Sequence, residues 1–518
     1  MAMDKTFLEY AALDPACTLE VRNGFWNELD KDGFRKAYDM TMALLPVLMF
    51  MQTRGVKISH KALGDTKTDV LQEAALKQKE LNELVGYELN VNSSKQCQEY
   101  FYDRLNIAPY LNKDKKPTVD DMALQRLVRG TATRPGLKQA KLVQEIRGLQ
   151  KLYGTYLDIQ FDADNRMRGS YNPRGTKFGR LSSSKTVFGT GMNFQNLPPE
   201  FKKFIIPDDG YVFLNVDKRQ AEWIAVAYLT NDANMISAID KGIDVHTHTA
   251  SEMFGVDADI VKYEHKLVGS ETDQDRIKEI RMGDPSLSPH VGFNWPRSMS
   301  LRQAGKKSNH GLNYDEGFRG FALINEMDEK EAKRIVDLYH HIYPGIRLWY
   351  EAIKRELMDN NRTLTNYFGR VVRFMGQWND QLWKSAYSMK PQSTIVDSLN
   401  EGMVKIHDDA ELCGKFNYNI DVLAQVHDSI LMQVPIKFIE FLPYYTDMIN
   451  KITNYTSPDI TYNSRTFKIA SDYKVGFNWG DAHKERNPLG MTDCNSHEDV
   501  LKLLQGRKDY ESRTQQLA

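Results

Sequence analysis

The chain has 518 residues, 41% of them hydrophobic and 11% aromatic, and carries a formal net charge of −1. That length accommodates two to four globular domains, and the near-zero charge implies no attraction of the whole molecule to a polyanion, so any nucleic-acid contact must come from local stripes. No apolar run reaches the ~20 residues of a membrane span, the N-terminus lacks the blocks of a signal peptide, and four scattered cysteines point to reduced thiols in a cytoplasm.

Residues 1–35 read as a short helical remnant. From Phe34 to Tyr156 the pattern is helical, with apolar stripes in Met40–Met51 and across Lys57–Leu89, and Asn92-Ser93-Ser94 marks a helix start. Arg134, Lys138 and Lys141 fall within about 60° of one another on one expected helix. Arg174, Lys177, Arg180 and Lys185 form a second basic stripe; such runs are more often solvated faces than binding sites. Beyond Asp158 the spacing predicts strands at Met167–Tyr171, Tyr211–Asp217, Val371–Phe374, Val422–His427 and Ile430–Val434. Helices are predicted at Gln220–Leu229, Val245–Met253, Leu301–Asn313, Lys330–Met358 and Asp380–Asp408. Residues 256–300 read as a loop-like insertion, rich in Asp, Gly, Pro and Ser, and the tail after Lys484 reads as polar and peripheral.

Two carboxylates stand out because each ends an apolar strand-like run: Asp217 after Tyr211–Val216, and Asp428 after Val422–His427. Strand pairing can bring such side chains together rigidly, an arrangement suited to divalent cations and phosphoryl transfer. Between them lies Arg302–Tyr314, where Arg302, Lys306, His310 and Asn313 fall within about 80° of one helix face. The cations suit a triphosphate, and Gly305 and Gly311 suit a close approach by something else. The bland alternative is a solvated basic helix with two tolerated glycines.

The pattern Arg302-x3-Lys306-x2-Asn309-x-Gly311-x2-Tyr314 resembles the nucleotide-binding motif of family A DNA polymerases, the bacterial DNA polymerase I and phage replicative type. Val216-Asp217-Lys-Arg-Gln220-Ala-Glu222 resembles that family's first metal motif and Gln425-Val-His427-Asp428 its second. Gly179-Arg180-Leu-Ser-Ser, Gln195-Asn196-Leu-Pro, Asp244-Val-His246-Thr-x-Thr-Ala and Asn478-Trp-Gly follow in the family's order, across about residues 36–484. The resemblance implies an α+β right-hand fold with an antiparallel palm sheet and helical thumb and fingers. The thumb would be 36–156, the palm 157–243 and 359–484, and the fingers 244–358 with the insertion at about 256–300; residues 1–35 would be an exonuclease-domain edge and 485–518 a tail.

By position, the resemblance implies that Asp217 and Asp428, with the backbone of Lys218, hold two Mg²⁺ ions, Mn²⁺ being a substitute. Arg302, Lys306 and His246 would meet the incoming phosphates, with Gln220 and His310 also in the nucleotide pocket. Tyr314 and Glu222 would close the pocket beneath the sugar, the carboxylate excluding a 2′-hydroxyl. Arg180 and Gln392 would check the terminal pair in the minor groove, where pairing geometry is legible but sequence is not. Lys384, Ser388, His427 and Asn196 would complete the primer–template contacts.

Departures from the family pattern are His310 for an aromatic, Asp315 for Gly, Ser429 for Glu, and Lys384 and Ser388 for Arg and Asn. His310 is expected to alter dideoxynucleotide discrimination, so His310→Tyr should change the dideoxy-to-deoxy incorporation ratio. Tyr10 and Asp14 resemble the last motif of the family's 3′–5′ exonuclease, with too few preceding residues for its other carboxylates, so no proofreading by this chain is expected. Expected partners are primer–template DNA, dNTPs and a separate exonuclease or processivity protein, acting on a monomer without a membrane. The setting expected is phage DNA replication in a host bacterial cytoplasm. The alternatives are a single-subunit RNA polymerase-like nucleotidyltransferase, against which Glu222 stands, and a non-catalytic DNA-binding replication scaffold.

Overall fold

The computed structural model describes residues 5–31, 33–112, 114–130, 134–292, 294–325, 327–414 and 418–516. At its centre is a five-stranded antiparallel sheet in the order Thr492–Asp493, Ser471–Gly476, Tyr211–Lys218, Ser429–Pro435, Asp421–Val426. The middle strand is covered on both faces, which is why its sequence is a nearly unbroken apolar run. Val212, Leu214 and Val216 are fully buried, in one core with Leu399, Met403 and Ile406 of the long helix Asp380–Asp408 and Met448 and Ile452 of Leu442–Thr456. Helix Arg35–Arg54 adds Leu44, Val47, Leu48 and Met51 to that core.

A second, helical core joins Ala221–Thr230, Val245–Phe254, Leu301–Leu312, Glu329–Ile342 and Pro344–Asp359. A third, smaller one packs Leu81, Phe101, Leu124 and Leu127 against Val143 and Ile146 of helix Lys138–Lys151. The α+β character and the antiparallel central sheet expected from the sequence are both present. Ser93 caps its helix as expected, accepting from the Gln96 N–H.

Several expectations are corrected. Residues 256–300 are not a loop: they hold helices Ala258–Val268 and Gln274–Gly283, capped by Asp257 and Asp273. The Asp-rich composition belongs to these caps, while Val261, Val268 and Ile277 are buried and Arg281 Nη2 meets the fully buried Glu264 Oε1 at 2.5 Å. The single helix Lys330–Met358 is two, parted at Tyr343 because Pro344 has no N–H for a continuing helix and starts the next one instead. Met167–Tyr171 is two short strands, Arg166–Met167 and Ser170–Asn172; between them a Cβ on Gly169 would lie 2.6 Å from the Met192 carbonyl. Within Lys57–Leu89, Val56–Ile58 is a strand and the helix begins at His60.

The tail is not peripheral. Thr492–Asp493 pairs with the edge of the central sheet, and Met491, Cys494, Val500 and Leu504 are buried in its core. Val500 and Leu504 lie one helical turn apart, so each contributes about 1.5–3 kcal/mol of burial to docking helix His497–Gln516 despite its polar remainder. The basic stripe near Arg134 also dissolves: helix begins only at Lys138, whose Nζ meets Glu80 at 2.7 Å, while Lys141 Nζ meets Asp273 at 2.7 Å. Among the described residues no helix is long and apolar enough to cross a membrane. All four cysteines are free.

Candidate active site

The central strand Tyr211–Lys218 ends beside the hairpin that carries Asp428. Ser429 stands opposite Asp217 in the antiparallel register, and the Lys218 N–H donates to the Asp428 carbonyl at 3.2 Å. This register sets the two carboxylates near enough for the charge of Asp428 to act on Asp217. Burial first, then the charge of Asp428, pushes the Asp217 carboxyl up to about 6, and burial raises Asp428 as well. The Lys474 ammonium on the neighbouring strand, and after it Lys306, oppose the rise at Asp217.

The turn between the paired strands is held by side chains distant in sequence. His427 takes φ of 54°, a strained region for a residue with a Cβ. Gln195 accepts the His427 N–H at 3.2 Å and donates to the Gln425 carbonyl at 2.8 Å, while Gln425 Nε2 donates to the His427 carbonyl at 2.5 Å. Gln195 is thus a positioning residue that the sequence reading passed over for its exposed neighbour Asn196. The Lys218 side chain, one residue on from Asp217, points to the other sheet face. There its Nζ donates to Ser457 Oγ at 3.1 Å and to the carbonyls of Thr456 and Ile469, and burial lowers it to about 7.

The cationic helix Leu301–Leu312 is capped by Ser300, which accepts from the Gln303 N–H. Lys306 and His310 lie exposed on it. Arg302 is engaged by Asp244, Nε to Oδ2 at 2.6 Å and Nη2 to Oδ1 at 3.2 Å. Asn313 is not on this face: it is 1% exposed and accepts from the Tyr339 hydroxyl. Nor do the glycines leave room for a ligand. A Cβ on Gly305 would lie 2.2 Å from the His246 carbonyl, and one on Gly311 would strike Glu316. Gly305 is needed by the packing of helix Val245–Phe254, so Gly305→Ala should cost about 1–3 kcal/mol in denaturant melts, the range for overpacking a tight contact.

His246 is 8% exposed, and burial, then Arg302, lowers it to about 4. Asn309 Nδ2 donates to its Nδ1 at 3.0 Å, and the Asn309 amide is oriented by the Thr249 hydroxyl on Oδ1 at 2.8 Å. The imidazole is therefore neutral at pH 7 with its proton on Nε2, a donor rather than a cation.

Gln220 takes φ of 47° at the start of helix Ala221–Thr230, turning the chain so that Glu222 faces the cationic helix. Arg180 Nη2 donates to Glu222 Oε1 at 2.9 Å and His310 Nδ1 lies 2.5 Å from Oε2. Burial would raise the Glu222 carboxyl, but the His310 contact and the charges of His310 and Arg180 outweigh it and hold it low. Burial pushes the Tyr314 phenol well above its ordinary value, with the Gln392 amide opposing, and the His310 ring stands edge-on to it at 5.7 Å. Asp315 follows with φ of 62°, the conformation that favours the glycine of the related motif.

On the long helix Asp380–Asp408, Lys384 sits where its charge opposes the burial that raises Asp315 and Glu316. Ser388 bonds its own helix, Oγ to the Ser385 carbonyl at 3.0 Å. Tyr10 and Asp14 are exposed on helix Lys5–Lys31. Arg370, a residue the sequence reading missed, supports the Arg180 loop: its guanidinium sits where a Gly179 Cβ would be.

Among the described residues no group of three or more His, Cys, Asp or Glu side chains is placed to hold a metal ion. The donor set is thus two carboxylates, half-buried and raised, which a divalent cation would relieve. Mg²⁺ commonly takes one or two carboxylates and completes its shell with water and substrate phosphate, so these residues fit it.

The family model for DNA polymerase family A matches residues 60–268 and 296–481. The unmatched gap falls within the expected insertion. DNA polymerase I of Pseudomonas aeruginosa is 25% identical over 496 residues, covering 92% of this chain and 47% of that protein. The thermostable DNA polymerase I of Thermus filiformis is 26% identical over 409 residues, covering 75% and 42%. The chain spans about half the length of the curated relatives it matches. Among solved structures, the POL domain of Pol1 from M. smegmatis in complex with DNA primer-template and dNTP superposes with a TM-score of 0.67 at 19% identity, over 85% of this chain and 70% of that one. That likeness is one of fold.

Proposed function

Because the chain belongs to DNA polymerase family A, we propose that it is a template-directed DNA polymerase, adding deoxynucleotides to a primer 3′-hydroxyl. The convergence of Asp217 and Asp428 within the field of the exposed Lys306 supports this most. Asp217, Asp428 and the Lys218 backbone would hold two Mg²⁺ ions, or Mn²⁺ in their place. Bound there, the ions supply activation of the primer hydroxyl and charge stabilisation of the leaving pyrophosphate. Lys306 is the phosphate-facing cation, Arg302 joins it once turned from Asp244, and the His246 Nε2–H donates to a phosphate oxygen. Glu222 and Tyr314 lie beneath the sugar, and Arg180 and Gln392 reach the minor-groove edge.

In this reading the sheet layer is the palm, 157–243 with 359–484, the helices of 244–358 are the fingers, and the 36–156 arm is the thumb. The packing of Arg35–Arg54 on the sheet core would fix the thumb's base. DNA lies along the palm, its phosphates met by local cations such as Arg174, Lys177 and Lys185, which are exposed. Neutralising about six phosphates would lower primer–template affinity roughly 10³-fold between 50 and 200 mM salt; equal affinity at both salts would contradict such contacts. The bacterial relatives support a bacterial cytoplasm as the setting, and the departures at His310, Asp315 and Ser429 a phage replication role.

The test is metal-dependent extension of a labelled primer on a defined template, run in parallel with dNTPs and rNTPs. Extension with dNTPs is expected. Extension with rNTPs alone would favour an RNA polymerase, and duplex binding without extension would favour a scaffold.

A further inference from the structure

Resting on the polymerase reading, we propose that His310 is a positioning residue for sugar selection, holding the Glu222 carboxylate in place together with Arg180. A gate that rejects one hydroxyl must be placed to a fraction of an ångström, and a glutamate in the first turn of a helix has three side-chain torsions with which to miss. Here Oε1 accepts from Arg180 Nη2 at 2.9 Å, and Oε2, which has no hydrogen-bond donor of suitable geometry, lies 2.5 Å from His310 Nδ1 as a charge contact. The two cationic groups come from different elements, the 180 loop and the cationic helix, and each meets a different oxygen of the carboxylate. Tyr314, edge-on to the imidazole at 5.7 Å, limits the ring's own movement.

The groups facing His310 are Glu222 from helix Ala221–Thr230, Arg180 from its loop, and Glu316 and Tyr314 from the segment that follows its own helix. The contact with Glu222 comes first among them and raises the imidazole above its ordinary range, against burial and Arg180. A protonated imidazole holds the carboxylate by its charge at this distance; a neutral one has no such charge to offer. A histidine raised by its partner contributes its hold fully at low pH and loses it as pH climbs through the raised value. Sugar discrimination therefore weakens toward alkaline pH. Asp217 and Asp428 also titrate, but they act on both sugars alike and cancel in a ratio.

The experiment uses the whole chain and measures kcat/KM for a dNTP and the matching rNTP from pH 6 to 9. Wild type is expected to lose roughly tenfold in the dNTP-to-rNTP ratio across the range, about 1.4 kcal/mol, near the lower end for a hydrogen bond to a charged group. His310→Phe should show the reduced ratio at every pH, and His310→Gln, which keeps an N–H donor, should recover part of it without pH dependence. A wild-type ratio independent of pH, or a His310→Phe ratio equal to wild type at pH 6, overturns the proposal even if dNTP extension is vigorous. Absence of all extension would instead overturn the polymerase reading beneath it.

Discussion

Alanine at Asp217 or at Asp428 is expected to lower primer extension at least ~10³-fold while the chain remains folded, because each removes half of the donor set for the cations. The stability response should be opposite in sign. The Asp217 carboxyl is raised to about 6 from an ordinary 3.8, so the folded state binds its proton more tightly than the unfolded chain does. Without metal, ionised Asp217 then destabilises the fold, by about 3 kcal/mol once pH exceeds 6, and the penalty fades as pH falls toward 4. Metal-free Asp217→Asn should accordingly melt above wild type at pH 8 and close to it at pH 4, whereas Mg²⁺ should raise the Tm of wild type alone. Thermal melts at the two pH values with and without Mg²⁺, beside a primer-extension assay, check both halves. Normal extension by either alanine variant would refute the assignment of these carboxylates.

Breaking the buried pair behind the Arg180 loop is the second large effect expected. Asp397 is fully buried and receives Arg370 Nε at 2.9 Å and Nη2 at 2.7 Å, with Asn366 Nδ2 at 2.7 Å. Arg370→Ala leaves that carboxylate without its counter-charge, which costs about 3–5 kcal/mol. The loop should suffer too. Gly179, at φ of 87°, packs directly on the guanidinium and its carbonyl accepts from Asn400 at 3.3 Å, so Arg180 loses its seat. Urea unfolding should report the loss, and the double variant Arg370→Met, Asp397→Leu should recover most of it, since apolar residues can replace a buried pair with little loss of stability. A change below 1 kcal/mol in Arg370→Ala would show that the pair carries little.

Much of the architecture was legible because period and punctuation are local signals. The alternation and apolar runs of Tyr211–Asp217, Val422–His427 and Ile430–Val434 correspond to three neighbouring strands, and Leu301 does begin the cationic helix. Where local composition is ambiguous, reading failed. Asp and Gly in 256–300 looked like loop but serve as caps, because a capping residue and a turn residue are chemically the same. The tail was misjudged because Met491, Cys494, Val500 and Leu504, dispersed among polar residues, give no periodic signal strong enough to read.

By itself the order of residues marked candidates for chemistry: two strand-end aspartates and a helix carrying Lys306 and His310, with Glu222 added by the resemblance. A strand's end and a helix's face follow from backbone geometry within a few residues, so no distant partner is needed to place them. Which groups are free to act was decided only by the tertiary structure. The fold commits Arg302 to Asp244, withdraws the charge from His246, turns Asn313 inward, and brings His310 and Arg180 onto the two oxygens of Glu222. Such pairings depend on contacts between residues tens of positions apart, and burial sets their protonation; neither is encoded in the spacing along the chain.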